Sequence, residues 1–197
     1  MENQKLIPKH GGYRALKSYQ TTTLIYDLTV EFCNKYMTYR TNRTDNGANK
    51  SYRTYDQMVQ AARSGRQNIA EGCQASGTSK KTELKLIGVA RASLEELLLD
   101  YEDFLRQNNL LLWAKDCAQA SDVRALAYRI DRTNETYRTY LGNPENFANC
   151  LICLIHQANY LLDRQLGALG KSFLEEGGFT EKLYWSRKKV RDQSFDP

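Results

Sequence analysis

Proline is nearly missing from this 197-residue chain. Pro8, Pro144 and Pro197 are its only three, each near an end or an expected helix boundary. Proline deletes a helix donor and clashes with the preceding turn, so its scarcity leaves room for long helices. Long apolar runs are missing too: none approaches the roughly 20 residues a membrane-spanning helix needs. The opening MENQKLIPKHGGY lacks the apolar stretch of a signal peptide. The expectation is a cytoplasmic protein with no membrane role. Histidine is scarce, with only His10 and His156, and neither Gly11-Gly12 nor Gly177-Gly178 matches a phosphate-binding pattern. Five cysteines (Cys33, Cys73, Cys117, Cys150, Cys153) make an odd number. Without an export signal they read as reduced thiols.

What the chain does have is core material at helical spacing. A hydrophobic share of 41% against 26% charged residues is that of a globular protein, which excludes wholesale disorder. Apolar residues three and four apart predict helices throughout, and no strand alternation competes. The first helix is expected from about Tyr13 to Tyr39, before the loop-like TNRTDNGANKS. A second runs from about Tyr52 to Glu71, with Gly72 as its C-terminal cap. Thr78 or Ser79 caps the third, whose stripe Leu84, Ile87, Leu94, Leu98, Tyr101 and Leu105 is the clearest. A fourth is expected from about Ser121 to Leu141. Asn143-Pro144-Glu145 is a strong start signal for a fifth, ending near Gly167 or Gly170. Thr180 caps a last one, EKLYWSRKKVR. The reading is all-α: an antiparallel up-down four-helix bundle over residues 13–141, with a C-terminal helical extension over 143–197.

No catalytic constellation assembles from these residues, so no enzyme and no cofactor are expected. Cys150, Cys153 and His156 spell C-x-x-C-x-x-H, three soft ligands roughly on one side of a helix, as zinc would accept. Leu151, Ile152, Leu154 and Ile155 stand between them and no second ligand pair exists, so core packing is the favoured reading and no metal is expected. Glu95-Glu96 and Asp100-x-Glu102-Asp103 have no histidine beside them and read as the solvated side of the third helix.

Charge is uneven. Residues 38–81 hold eight basic side chains (Arg40, Arg43, Lys50, Arg53, Arg63, Arg66, Lys80, Lys81) against three acids; residues 82–120 hold four basic against seven acidic. Such asymmetry speaks to partners, and the basic segment is the candidate nucleic-acid surface, although solvated faces read equally well. Within it Arg66 falls in the middle of the apolar stripe of Tyr55, Met58, Val59 and Ala62. There it must snorkel or pair with a carboxylate, as a structural member or a ligand contact. Ser64, Asn68 and Glu71 form a polar row on the opposite side, either a subunit contact or an exposed face.

Ala61, Ala62, Ser64, Asn68, Ile69, Ala70, Glu71 and Gly72 are followed by Ala90, Arg91, Ser93, Leu94 and Glu96 or Leu97. Two motifs in this order resemble the bacterial four-helix-bundle proteins encoded by intervening sequences in 23S ribosomal RNA genes. That family includes the accessory variability determinant of diversity-generating retroelements. The resemblance covers about Tyr13 to Leu141, and the remainder resembles a C-terminal extension found on a subset of the family. It implies a non-enzymatic bundle and ring-like homo-oligomers, pentamers in the family. For the retroelement branch it implies binding of nucleic acid and reverse transcriptase through a basic surface. It makes Ser64, Asn68, Glu71, Gly72, Arg91 and Ser93 structural or interface residues. The chain departs from the pattern where a proline is usual: Arg66 stands there, after Gly65, and Arg63 replaces an apolar residue. The resulting expectation is an oligomer that binds RNA or DNA through its basic segment. The alternative is a scaffold whose last two helices dock another protein.

Overall fold

The computed structural model describes residue 7 and residues 10–37, 48–129 and 133–194, without the side chains of 48–52 and 193–194. Among these residues there are six α-helices and no strand: α1 Lys17–Tyr36, α2 Ala48–Ala75, α3 Lys80–Gln107, α4 Ala118–Leu126, α5 Pro144–Glu176 and α6 Phe179–Ser194. The chain is all-α. No helix among the described residues is long and apolar enough to cross a membrane.

The four long helices close a ring of contacts, α1 on α2, α2 on α3, α3 on α5 and α5 on α1. Their apolar stripes meet in one cluster around Phe32. Its ring centroid lies 5.1 Å from that of Tyr101, 4.9 Å from Phe104 and 5.5 Å from Phe147, each pair edge-on. Edge-to-face pairs are worth about 0.5–1.5 kcal/mol beyond the area they bury. Deep in this cluster the Tyr101 hydroxyl donates to Thr29 Oγ1 at 3.0 Å, as a buried polar group should. Because α5 supplies Phe147, Leu151, Leu154 and Leu162 to the same cluster, the expected division at 141/143 runs through a single core.

Several expected boundaries shift for local reasons. The first helix begins at Lys17, because Leu16 is extended (φ −71°, ψ 126°) after a 3-10 turn at Tyr13–Ala15. Gly72 does not cap α2, which continues to Ala75; the carbonyl of Cys73 is satisfied by Gly11 N–H at 3.2 Å and Ser76 Oγ at 2.8 Å. Gly72 serves instead as a point of close approach. A Cβ there would stand 3.3 Å from Leu86 Cβ and 3.4 Å from the Glu83 carbonyl oxygen on α3. The helix expected over 121–141 is only α4, with a separate 3-10 stretch at Asn134–Tyr140. Thr133 restarts the backbone there: its N–H donates to Thr136 Oγ1 at 3.1 Å, a local capping bond that competes with helix continuation. At the fifth helix the start signal holds. Asn143 Oδ1 accepts from the N–H groups of Glu145 and Asn146 at 2.8 and 3.1 Å, with Pro144 in the first turn. Its end does not fall at Gly167 or Gly170. It runs to Glu176 because Lys80 of α3 reaches across to Ser172 Oγ at 2.6 Å and Glu176 at 2.9 Å; Gly177, at φ +67°, then turns the chain into α6.

Candidate nucleic-acid interface

The eight basic residues expected to act together are not gathered on one described surface. Arg40 and Arg43 lie outside the described residues, as does the side chain of Lys50. Arg53 and Arg63 are exposed on the outer side of α2, but exposed Asp56 and Glu71 share that side. Arg66 turns the other way, its guanidinium carbon 4.3 Å from the centre of the Tyr26 ring on α1. Lys80 is committed to the α5 contact described above, leaving Lys81 exposed beside it. The sequence asymmetry is real, but the fold commits two of its cations, both half-buried, to contacts between helices.

The motif residues come together along helix seams. Ser64 Oγ and Ser93 Oγ are 2.9 Å apart across the α2–α3 boundary, and the Asn68 amide donates to Ser64 Oγ at 3.0 Å and to its carbonyl at 2.9 Å. Part of the polar row opposite the apolar stripe is therefore occupied by α3, while Glu71 stays exposed. Arg91 joins α3 to α5: Nη1 donates to Glu95 at 2.6 Å and Nε to Asp163 at 3.3 Å. Gly65 lies on the same α2–α3 seam, where a Cβ would meet Leu94 Cδ2 at 2.9 Å. These residues hold helices to one another.

Cys150, Cys153 and His156 diverge. Cys150 is buried, Cys153 half-buried and His156 exposed. Burial pushes the Cys153 thiol up to about 11, and that of Cys150 higher still, so both keep their protons at neutral pH. Among the described residues no three of His, Cys, Asp or Glu form a group able to hold a metal ion. Cys153 and His156 border an apolar cavity of about 690 Å³ between α3, α4 and α5, which Trp113, Ile152 and Tyr160 also line.

The densest exposed charge lies on α6, which sequence spacing marked as a helix but not as a site. Lys182, Arg187, Lys188, Lys189 and Arg191 stand against Glu181 and Asp192, and all seven side chains are exposed. The helix makes no extensive packing contact with the other described helices. Glu181 is occupied at its start, accepting from Gly178 N–H at 2.8 Å, and Lys182 lies 3.6 Å from Glu176. Between the cations stand two aromatic rings, Tyr184 (57% exposed) and Trp185 (62%), edge-on with centroids 5.3 Å apart. Lys188 Nζ lies 5.3 Å from the centre of the Trp185 ring. The signal was present in the sequence as the spacing of WSRKKVR, but only exposure separates such a helix from a core-facing one.

Comparison with known protein families, with curated proteins and with solved structures finds no match to this chain.

Proposed function

We propose that this chain is a non-enzymatic helical protein that binds nucleic acid through positive charge. The observation that carries the reading is α6: five exposed Lys and Arg side chains on one 16-residue helix that no other helix among the described residues covers. Exposed cations bind phosphates by releasing condensed counterions, without need of a shaped pocket. Arg53, Arg63 and Lys81 add to this charge elsewhere. The contacts are to the phosphate backbone, so binding is weakly sequence-selective.

The same proposal takes the four long helices as an antiparallel up-and-down bundle, with α5 as the fourth member and α6 as the addition. The residue pairings support it: Lys80 meets Ser172 and Glu176, Arg91 meets Asp163, and Leu111 N–H meets Glu145, so numbering falls along α5 as it rises along α3. Self-association into a homo-oligomer, a pentamer on the resemblance to the 23S intervening-sequence family, belongs to the proposal as well. A line of exposed Val89 (40%), Ala92 and Leu99 (55%) on α3 supports it.

The test is a fluorescence-anisotropy titration of RNA and DNA oligonucleotides at stepped salt. Log affinity is expected to fall with log salt by about 0.7–0.9 per phosphate contact. Replacing Arg187, Lys188, Lys189 and Arg191 together with Glu is expected to abolish binding while leaving helical content intact. Failure of the wild-type protein to bind RNA or DNA at low salt overturns the proposal. The second reading, a scaffold that docks another protein on its C-terminal helices, then takes over; exposed Leu174 (85%) and Val190 (63%) favour it.

A further inference from the structure

We infer that Tyr184 and Trp185 make α6 a stacking platform for unpaired bases, so that its ligand is single-stranded rather than duplex nucleic acid. The inference rests on the nucleic-acid reading above and adds to it the class of strand. At 100° per residue, Phe179, Leu183 and Val190 fall within a narrow arc on one side of α6. The half-buried Phe179 and Leu183 lie at its start, where the chain leaves α5. Around the opposite side come Arg191, Tyr184, Lys188, Glu181, Asp192, Trp185 and Lys189, in that order. Both rings thus lie on the charged face, where cations outnumber the two acids, and neither ring shares the apolar arc.

The place of the rings on the charged face chooses among partners. A helix that lies in a lipid surface gathers its aromatic and aliphatic residues on one side and its lysines on the other; here the rings stand among the cations. A helix bound in a protein groove offers anchors three, four and seven residues apart along one stripe, and neither ring lies on such a stripe. Duplex nucleic acid presents phosphates to the cations but keeps its base faces stacked inside, so exposed rings would gain nothing from it. A single strand presents both at once: phosphates for Arg187, Lys188, Lys189 and Arg191, and base faces for Tyr184 and Trp185. Stacking of this kind is tolerant of sequence, because every base has a π-face. Glu181, the acid nearest the rings, is occupied by Gly178 N–H.

The full chain is titrated with a labelled oligothymidine strand and with a duplex of equal length, at the same low salt. Trp185→Ala is expected to weaken single-strand binding about tenfold and to leave duplex binding unchanged, with Trp185→Phe restoring most of the loss. Trp113 and Trp185 are the only tryptophans, so Trp113→Phe makes Trp185 the sole emitter. Its emission should be quenched by the single strand and not by the duplex. The anisotropy arm needs no change at Trp113 and stands even where that variant does not fold. Equal affinity for both strands, or single-strand binding indifferent to Trp185→Ala, overturns the inference and leaves charge-driven binding in place. Loss of all binding by the wild-type chain overturns both. Tight binding to anionic phosphatidylserine vesicles with blue-shifted Trp185 emission, and no preference for the single strand, overturns it in favour of a lipid surface.

Discussion

Arg66 of α2 holds its guanidinium carbon 4.3 Å from the centre of the Tyr26 ring on α1. An arginine inside an apolar stripe has to place its charge somewhere other than the core. Here the half-buried side chain lays it on the negative face of a ring from the neighbouring helix. Arg66→Ala and Tyr26→Leu should each destabilise the fold, and in a double-mutant cycle by urea denaturation the pair should couple by about 0.5–2 kcal/mol. Additivity of the two changes would show that the ring and the guanidinium act independently. Arg66→Pro would fall inside the continuous helix α2 and should cost about 3 kcal/mol or more.

The glycines of the bundle should divide by what faces them. A Cβ at Gly65 would stand 2.9 Å from Leu94 Cδ2 and 3.1 Å from its Cγ, in a side chain fully buried between helices. Gly65→Ala should therefore cost about 1–3 kcal/mol of overpacking. Gly88, in the middle of α3, has nothing within 4 Å of the same construction. There the ordinary helix preference applies, and Gly88→Ala should stabilise by about 0.5–1 kcal/mol. Denaturation midpoints for the two variants should move in opposite directions.

Glu83 sits nearly buried in the first turn of α3. Burial pushes its carboxyl up, only partly opposed by Lys80. A carboxyl raised in the folded state favours folding while it is protonated. That contribution is complete below the unfolded carboxylate value and is lost as pH rises through the folded one. At neutral pH the charge is a burden, so Glu83→Gln should be more stable than the parent at pH 7. The difference should shrink as pH falls through the carboxylate range. A gap that widens on acidification would mean that the carboxylate is held by a favourable partner instead.

The thiols should report burial. Desolvation, with Asp100 adding to it, pushes Cys33 up to about 12, and Cys150 is buried on α5. Neither is a thiolate at pH 8, and both should react with an aromatic disulfide reagent only as fast as the protein unfolds. Cys117, half-buried at the start of α4, should react first. Rapid labelling of Cys33 in native protein would show that α1 opens locally.

Val89 and Leu99 share the outward side of α3 with charged Lys85, Glu96 and Asp103, and the proposed self-association rests on this exposed apolar line. Val89→Glu with Leu99→Glu should lower the mass seen by light scattering while leaving the helical signal unchanged. A parent protein of monomeric mass would overturn the proposed self-association, and an unaltered mass in the variant would remove this line from it.

Helix type, and the starts of α3 at Ser79 and α5 at Asn143, were legible in the sequence because they are local. The 3.6-residue recurrence of Ile87, Leu94, Leu98 and Tyr101, and the Asn143-Pro144 start, each depend on residues within a few turns. What local pattern did not decide was which helices share a core. The segment 121–141 has periodicity enough for a fourth long helix, yet Thr133 restarts the backbone within it and α5 takes the place beside α1 and α3. The basic segment met the same limit. Linear spacing counts Lys80 as surface charge and marks Arg66 as out of place in an apolar stripe without naming its partner; only the neighbouring helices turn Arg66 onto Tyr26 and Lys80 onto Ser172 and Glu176. The cations of α6 stay at the surface because no helix among the described residues packs over them, and that is a property of the assembled chain, since a side chain's exposure is set by what lies beside it in space.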